Sequence, residues 1–235
     1  MKSEGTLASL QVGLPLDYPL TLHRRHQDMN STWRTGFVKE SVTDRRFVSE
    51  LQIEGDGQAD TLHHGGKDKA VLVYAGSHYP NWKNELATEL ARQGNSNFEN
   101  GAFGENFTVT EWSEETMCIG DVLAVGTATV QVCQPRVPCW KISERWGIPD
   151  LLDRVVKTGR TGWYLRVLQQ GFVQAGDSMR LIDRTHEMVT IRLVNDVIHN
   201  RIVDKAVMMD IALLPELADA CRKGIEQRLG SVEAP

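Results

Sequence analysis

The run TATVQVCQ at residues 127–134 alternates strictly. Ala128, Val130 and Val132 fall on one face of an extended chain, and Thr129, Gln131 and Cys133 on the other. A period of two buries one face of a strand and does not draw a stripe on a helix. Just before it, IGDVLAVG (119–126) sets Gly-Asp in a turn ahead of alternating residues, and AGDSMRLI (175–182) repeats the arrangement. Further strands are predicted in TLASLQV (6–12), TGFVKESV (35–42), KAVLVY (69–74) and NFTVTE (106–111). Many short strands joined by glycine turns point to a barrel or a sandwich.

Helices interrupt this pattern. PNWKNELATELARQG (80–94) places Trp82, Leu86 and Leu90 four apart, with Gly94 as a stop. IPDLLDRVVKTG (148–159) opens with Pro149 at the first helical position and closes before Gly159, offering Leu151, Leu152, Val155 and Val156 for burial. After Ile182 the spacing turns helical throughout. THEMVTIRLVNDVIHN (185–200), DKAVMMDIALL (204–214), capped by Asp204, and PELADACRKGIEQRLG (215–230), begun by Pro215, read as three short helices. Leu217, Cys221, Ile225 and Leu229 lie four apart, which makes Cys221 a core thiol. Residues 1–183 are therefore expected to form a β domain. Residues 184–235 form an appendage too short to build much core alone, so it should dock on the barrel.

The 235 residues are 41% hydrophobic and 24% charged, an ordinary globular composition, and the net charge of −5 argues against a broad nucleic-acid surface. The opening MKSEGTLASLQVG does not read as a signal peptide. No apolar run reaches the roughly 18 residues needed to span a bilayer, so a cytoplasmic protein without membrane partners is expected. The four cysteines, Cys118, Cys133, Cys139 and Cys221, lack Cys-x-x-Cys spacing and are predicted to be free thiols. Dinucleotide-binding, P-loop, zinc-protease and serine-hydrolase signatures are missing.

Four stretches carry chemistry. In HHGGKDKAV (63–71), an extended backbone would send His63 and His64 to opposite sides, with Gly65-Gly66 allowing a ligand to approach before Lys67, Asp68 and Lys69. A surface turn with solvated charges explains this stretch about as well. In GAFGENFTV (101–109) two glycines bend the chain around Phe103 and lead to Asn106, whose amide both donates and accepts; taken alone, an ordinary glycine loop is the better reading. In CQPRVPCWK (133–141), Pro135 and Pro138 hold Gln134 and Val137 extended, with Arg136 three residues before Cys139 and Lys141 two after. Such a mount makes a poor strand core and a good electropositive thiol site, whereas Cys133 reads as packing. In GRTGWYLRVLQQG (159–171), Arg160 between glycines suits an oxyanion, or it caps the carbonyls of the preceding helix.

Taken in order, HHGGKDKAV, GAFGENFTV, IGDVLAVG, CQPRVPCWK and GRTGWYLRVLQQGFVQAGD resemble the MOSC family, and most closely its stand-alone bacterial YiiM-like branch with three terminal helices. The resemblance covers nearly the whole chain. It implies a mainly β, closed barrel-like fold with a few inserted helices and a small helical appendage. It implies a molybdenum cofactor, a molybdopterin whose metal takes one protein thiolate, which falls on Cys139. It also implies an oxidoreductase that removes oxygen from N-hydroxylated compounds such as 6-hydroxylaminopurine. Arg136, His64, Lys69, Asn106 and Arg160 are the candidate cofactor- or substrate-binding residues. Electrons would come from a separate reductase, since neither the N-terminal domain of larger relatives nor a ferredoxin-type cluster is expected. Pyridoxal phosphate is not expected, and a homodimer is compatible with this reading. An electropositive, accessible thiolate equally suits a sulfur carrier or transferase holding a persulfide on Cys139. A non-catalytic cofactor-binding module is the third reading.

Overall fold

The computed structural model describes residues 2–22, 31–94 and 97–231. Strand β1 (Glu4–Val12) is followed by the hairpin β2 (Leu16–Pro19) and β3 (Thr32–Thr35), then β4 (Glu40–Val42) and β5 (Arg46–Val48). A single helical turn, α1 (Thr61–His64), leads into β6 (Val71–Ala75). Helices α2 (Tyr79–Glu85) and α3 (Ala87–Arg92) precede β7 (Phe107–Val109), β8 (Val122–Val125) and β9 (Ala128–Pro135). Helices α4 (Lys141–Trp146) and α5 (Leu151–Thr158) separate β9 from β10 (Trp163–Gln169), β11 (Gly171–Val173) and β12 (Ser178–Asp183). The chain ends in α6 (Ile191–Ile198), α7 (Lys205–Ala212) and α8 (Asp219–Ser231).

Seven strands close a barrel. The order runs β12-β8-β9-β10-β6-β7-β1, and β12 pairs back onto β1. Only the β6–β7 pair is parallel among these neighbours. The two Gly-Asp strands read from the sequence, β8 and β12, lie side by side and antiparallel, with Met179 opposite Val125. Leu7, Val73, Phe107, Leu123, Val130 and Met179 belong to the core that fills the barrel. Ile191, Val194, Met208, Ile211, Cys221 and Ile225 from α6–α8 join that same core. A second core is rich in aromatic residues. Tyr74 stacks on Phe103 at 4.4 Å, and Trp82, Phe98 and Trp146 pack around them. Among the described residues, no helix is long and apolar enough to cross a membrane.

Local expectations fail where backbones approach closely. TGFVKESV is not one strand, because β3 stops at Thr35 and β4 begins at Glu40. A Cβ on Gly36 would lie 2.0 Å from the carbonyl oxygen of Gly57, so the chain bends there against a second backbone. The two histidines are not on an extended segment. Asp60 caps α1 by accepting from the His63 N–H, which makes residues 61–64 helical. Helix 80–94 is broken at Leu86, although Trp82, Leu86 and Leu90 still form one buried stripe. Pro149 precedes the α5 cap rather than opening the helix. Helix α8 starts at Asp219, four residues after Pro215, leaving Leu217 buried in the approach to it.

Candidate functional site

Strand β9 ends where its sequence requires. Pro135 sits opposite Trp163 of β10 and has no N–H to extend the ladder. Beyond it, the Arg136 N–H donates to the Gly162 carbonyl at 3.0 Å. Gln134 Nε2 donates to the Asp68 carbonyl at 2.9 Å, and Arg166 Nε donates to Asp68 Oδ1 at 2.9 Å. The strand end is thus tied both to the glycine loop before β10 and to the turn after α1. Val137 and Pro138 carry the chain outward, and the Cys139 carbonyl accepts from the Ile142 N–H as α4 begins. The result is a rigid mount that presents Cys139.

Cys139 is half-buried, whereas Cys118, Cys133 and Cys221 are buried. Burial pushes the Cys118 thiol up to about 11 and the Cys133 and Cys221 thiols to about 12, so those three stay protonated. Cys133 also donates to the Asp68 carbonyl at 3.2 Å. Its reading as a packing thiol agrees with both facts.

Cys139 opens onto two adjoining cavities. The narrower holds about 70 Å³ and is lined by Lys39, Lys69, Arg136 and Lys141 with, among the described residues, a single carboxylate, Asp56. His64 and Asn106 line it as well, as do the backbone around Gly36 and the ring of Phe37. The wider holds about 400 Å³ between the barrel and the terminal helices. His64, Lys69, Val137, Cys139 and Tyr164 face both.

The charges in the narrow cavity are unevenly satisfied. Lys39 forms an ion pair with Asp56, and Asp56 also accepts from the Gly13 N–H at 2.9 Å and from Asn106 Nδ2 at 2.9 Å. Burial pulls the Lys39 ammonium below its ordinary range, and Asp56 opposes that shift. Lys69 Nζ donates to the His63 carbonyl at 2.6 Å, and its ammonium is likewise lowered by burial. Desolvation, reinforced by Lys141, brings the His64 imidazole down to about 4, so it is neutral at pH 7. Arg136 is 4% exposed, its guanidinium lies 5.8 Å over Phe37, and Nη1 is buried without a hydrogen-bond partner among the described residues. A buried guanidinium nitrogen left unpaired is costly, because nothing replaces the water it lost. Four cations around one carboxylate, one of them with an orphan donor, fit an anionic ligand with hydrogen-bonding oxygens.

Cys139, Arg136, His64, Lys69 and Asn106 therefore converge, and Arg160 does not. Its guanidinium lies 4.7 Å over the Trp82 ring and donates to Glu85 at 2.9 Å, away from both cavities. Neither sequence reading of Arg160 describes this; the carbonyls at the end of α5 are met by Arg192 and Arg201 instead. The loop around Arg160 nevertheless supports the site, because Gly162 holds Arg136 and its own N–H is held by Glu114 at 2.7 Å. Asn106 spends its amide on the fold, accepting from the Leu72 N–H and donating to Asp56 and the Gln11 carbonyl. Lys141, read from the sequence as a cation beside Cys139, lines the narrow cavity, and Lys39, Asp56 and Tyr164 join the site without having been singled out for it.

The MOSC domain family model matches residues 60–180. The chain is 41% identical over 161 residues to the uncharacterized protein YflK of Bacillus subtilis, an alignment covering 68% of this chain and 69% of that protein. It is 35% identical over 170 residues to a reductase of Gibberella moniliformis, covering 72% of this chain but only 29% of the fungal protein. The crystal structure of YiiM from Geobacillus stearothermophilus superposes with a TM-score of 0.76 at 30% identity, covering 96% of this chain and 99% of that one.

Proposed function

The chain belongs to the MOSC domain family and is similar to YiiM over nearly its whole length, and on that premise we propose that it is a molybdenum-cofactor reductase of N-hydroxylated compounds. The observation that carries the proposal is the buried, unpartnered Nη1 of Arg136 lining the same cavity as the half-buried Cys139. Among the described residues, no three His, Cys, Asp or Glu side chains gather to hold a metal ion. A lone thiolate suits a metal whose other ligands arrive with an organic cofactor.

Arg136 would hold the cofactor's phosphate or pterin oxygens through its orphan donor, with Lys69 and Lys141 supplying charge and Cys139 the sulfur ligand. When bound, the cofactor supplies the two-electron chemistry that removes the oxygen. Its balance is R–NHOH + 2 e⁻ + 2 H⁺ → R–NH₂ + H₂O, with the electrons drawn from a separate reductase. The chain's own contribution is to position the groups and supply protons. Burial raises the Tyr164 phenol above its ordinary range, so Oη keeps its proton and can donate to the departing oxygen. Neutral His64 can hand a proton on without adding another cation to a crowded site. Lys39 and Asn106 fix Asp56, which keeps the floor of the cavity in place and leaves the remaining cations for the ligand.

Metal analysis of protein made in cofactor-competent cells tests this reading. Wild type is expected to retain molybdenum and to reduce 6-hydroxylaminopurine when a reductase and electron donor are supplied. Cys139→Ser is expected to lose both. Absence of molybdenum in wild type, or equal molybdenum in the variant, overturns the reading. A gain of 32 Da on Cys139 after incubation with a cysteine desulfurase, without molybdenum, identifies a sulfur carrier instead.

A further inference from the structure

Building on the reductase reading, we propose that the wider cavity binds the flat ring of the substrate and that Gly224 sets how large that ring can be. The two cavities differ in chemistry. The narrow one concentrates cations. The wide one, about 400 Å³, has apolar walls in Val137, Pro138, Ile198, Cys221 and the Tyr164 ring, and two cations, Lys69 and Arg228, against the four of the narrow one. That volume falls within the roughly 300–1,000 Å³ of small-molecule sites, which are mostly apolar with a few polar groups. An uncharged heterocycle prefers these walls to the cation-rich chamber. Cys139 lies where the two chambers meet, so a ring held in one can present its exocyclic nitrogen to chemistry held in the other.

Gly224 has no structural reason to be glycine. It lies in the interior of the 13-residue helix α8, where glycine is less stable than alanine. Its backbone is not among the left-handed positions, and a Cβ built on it would meet nothing within 4 Å. Neither turn geometry nor packing demands it. The space it leaves belongs to the wide cavity, where Ala220 one turn earlier and Arg228 one turn later line the same wall. Ala220 and Gly224 leave the α8 side of the chamber open, and a side chain at 224 would project into it.

In protein from cells that cannot make the cofactor, alkylation of Cys139 by iodoacetamide, followed by peptide mass spectrometry, reads occupancy of this chamber; the buried Cys118 and Cys133, which do not line it, serve as internal controls. Adenine, the amino product of 6-hydroxylaminopurine reduction, is the probe. It is expected to slow alkylation of the wild type. In Gly224→Phe the half-protecting concentration should rise at least tenfold, with Gly224→Ala intermediate. Gly224→Leu provides a second test of bulk if the phenylalanine variant unfolds, and Lys223→Phe, on the exposed side of α8, should behave as wild type. No protection of wild type, or equal protection in Gly224→Phe and Gly224→Leu, overturns the assignment. Molybdenum is measured separately, in protein made in cofactor-competent cells. If wild type lacks it while adenine still protects, the reductase reading fails and the ring site stands.

Discussion

Arg136 is a cation taken out of water and left with one nitrogen unpaired. Without ligand, that nitrogen weakens the fold; with an anion present it becomes a strong donor. Arg136→Met should therefore leave the thermal midpoint of cofactor-free protein unchanged or slightly raised, while molybdenum per chain falls severalfold. A purely structural arginine would move the midpoint down. His64 gives a prediction with a sign. Its folded value of about 4 lies below the ordinary 6.5, so the unfolded chain binds its proton more readily. Stability from this group is fully present above pH 6.5 and is lost as pH falls toward 4. In cofactor-free protein, the urea midpoint of wild type should drop between pH 7 and pH 5 more than that of His64→Gln. Equal drops would remove His64 from the account. Cys139 and Arg136 were legible because prolines and cations crowd into nine residues around them. Lys39 was not, because its partner Asp56 comes from another loop and the alternation around it imitates a strand. Arg160 misled for the same reason: Trp82 and Glu85 reach it from α2, which no local spacing reveals.

At the scale of elements, the cavity depends on a strand that stops. Gly36 ends β3 against the Gly57 carbonyl, and the following residues turn Phe37 and Lys39 toward the cations. Gly36→Ala forces a methyl group onto a backbone oxygen at 2.0 Å, which only a backbone shift relieves. The change should cost about 1–3 kcal/mol in chemical denaturation, and it should lower cofactor retention by moving Phe37 from beneath Arg136. Gly65→Ala is the contrast. Its nearest contact is 3.2 Å and its φ is −122°, so a smaller loss is expected. The same physics explains what could be read along the chain. The hairpin of β8 and β9 was plain because its alternation and its glycine turn are local. The break at Leu86 and the turn α1 were hidden. A buried stripe at 82, 86 and 90 survives a kink, and the side chain of Asp60 decides the conformation of the histidines.

For the whole molecule, the sequence divides at residue 183, and the core crosses that line. Ile191, Val194, Ile211 and Ile225 share one apolar cluster with Val130, Val132 and Leu165 of the barrel. The Ala218 N–H donates to the Cys133 carbonyl at 2.9 Å, joining the approach to α8 to the strand that carries the site. Helix α6 packs on β9, and its Asn195 donates to Thr161 in the loop that holds Arg136. The three helices were legible as amphipathic stripes. Their attachment was not, because the residues they cover lie far earlier in the chain and any apolar surface would satisfy the stripe. A shared core predicts one cooperative unit. In hydrogen exchange, the amide of Ile225 in α8 should open with nearly the free energy of Val132 in β9, because exposing one strips the other. Ile225→Ala should lower both together by about 2–5 kcal/mol, the usual range for removing a buried isoleucine to alanine. If the helices instead formed a separate domain, Ile225 would exchange at a much lower free energy and its truncation would leave Val132 unmoved. That result would also loosen the wall of the ring chamber from the barrel, since α8 could then swing away without unfolding β9.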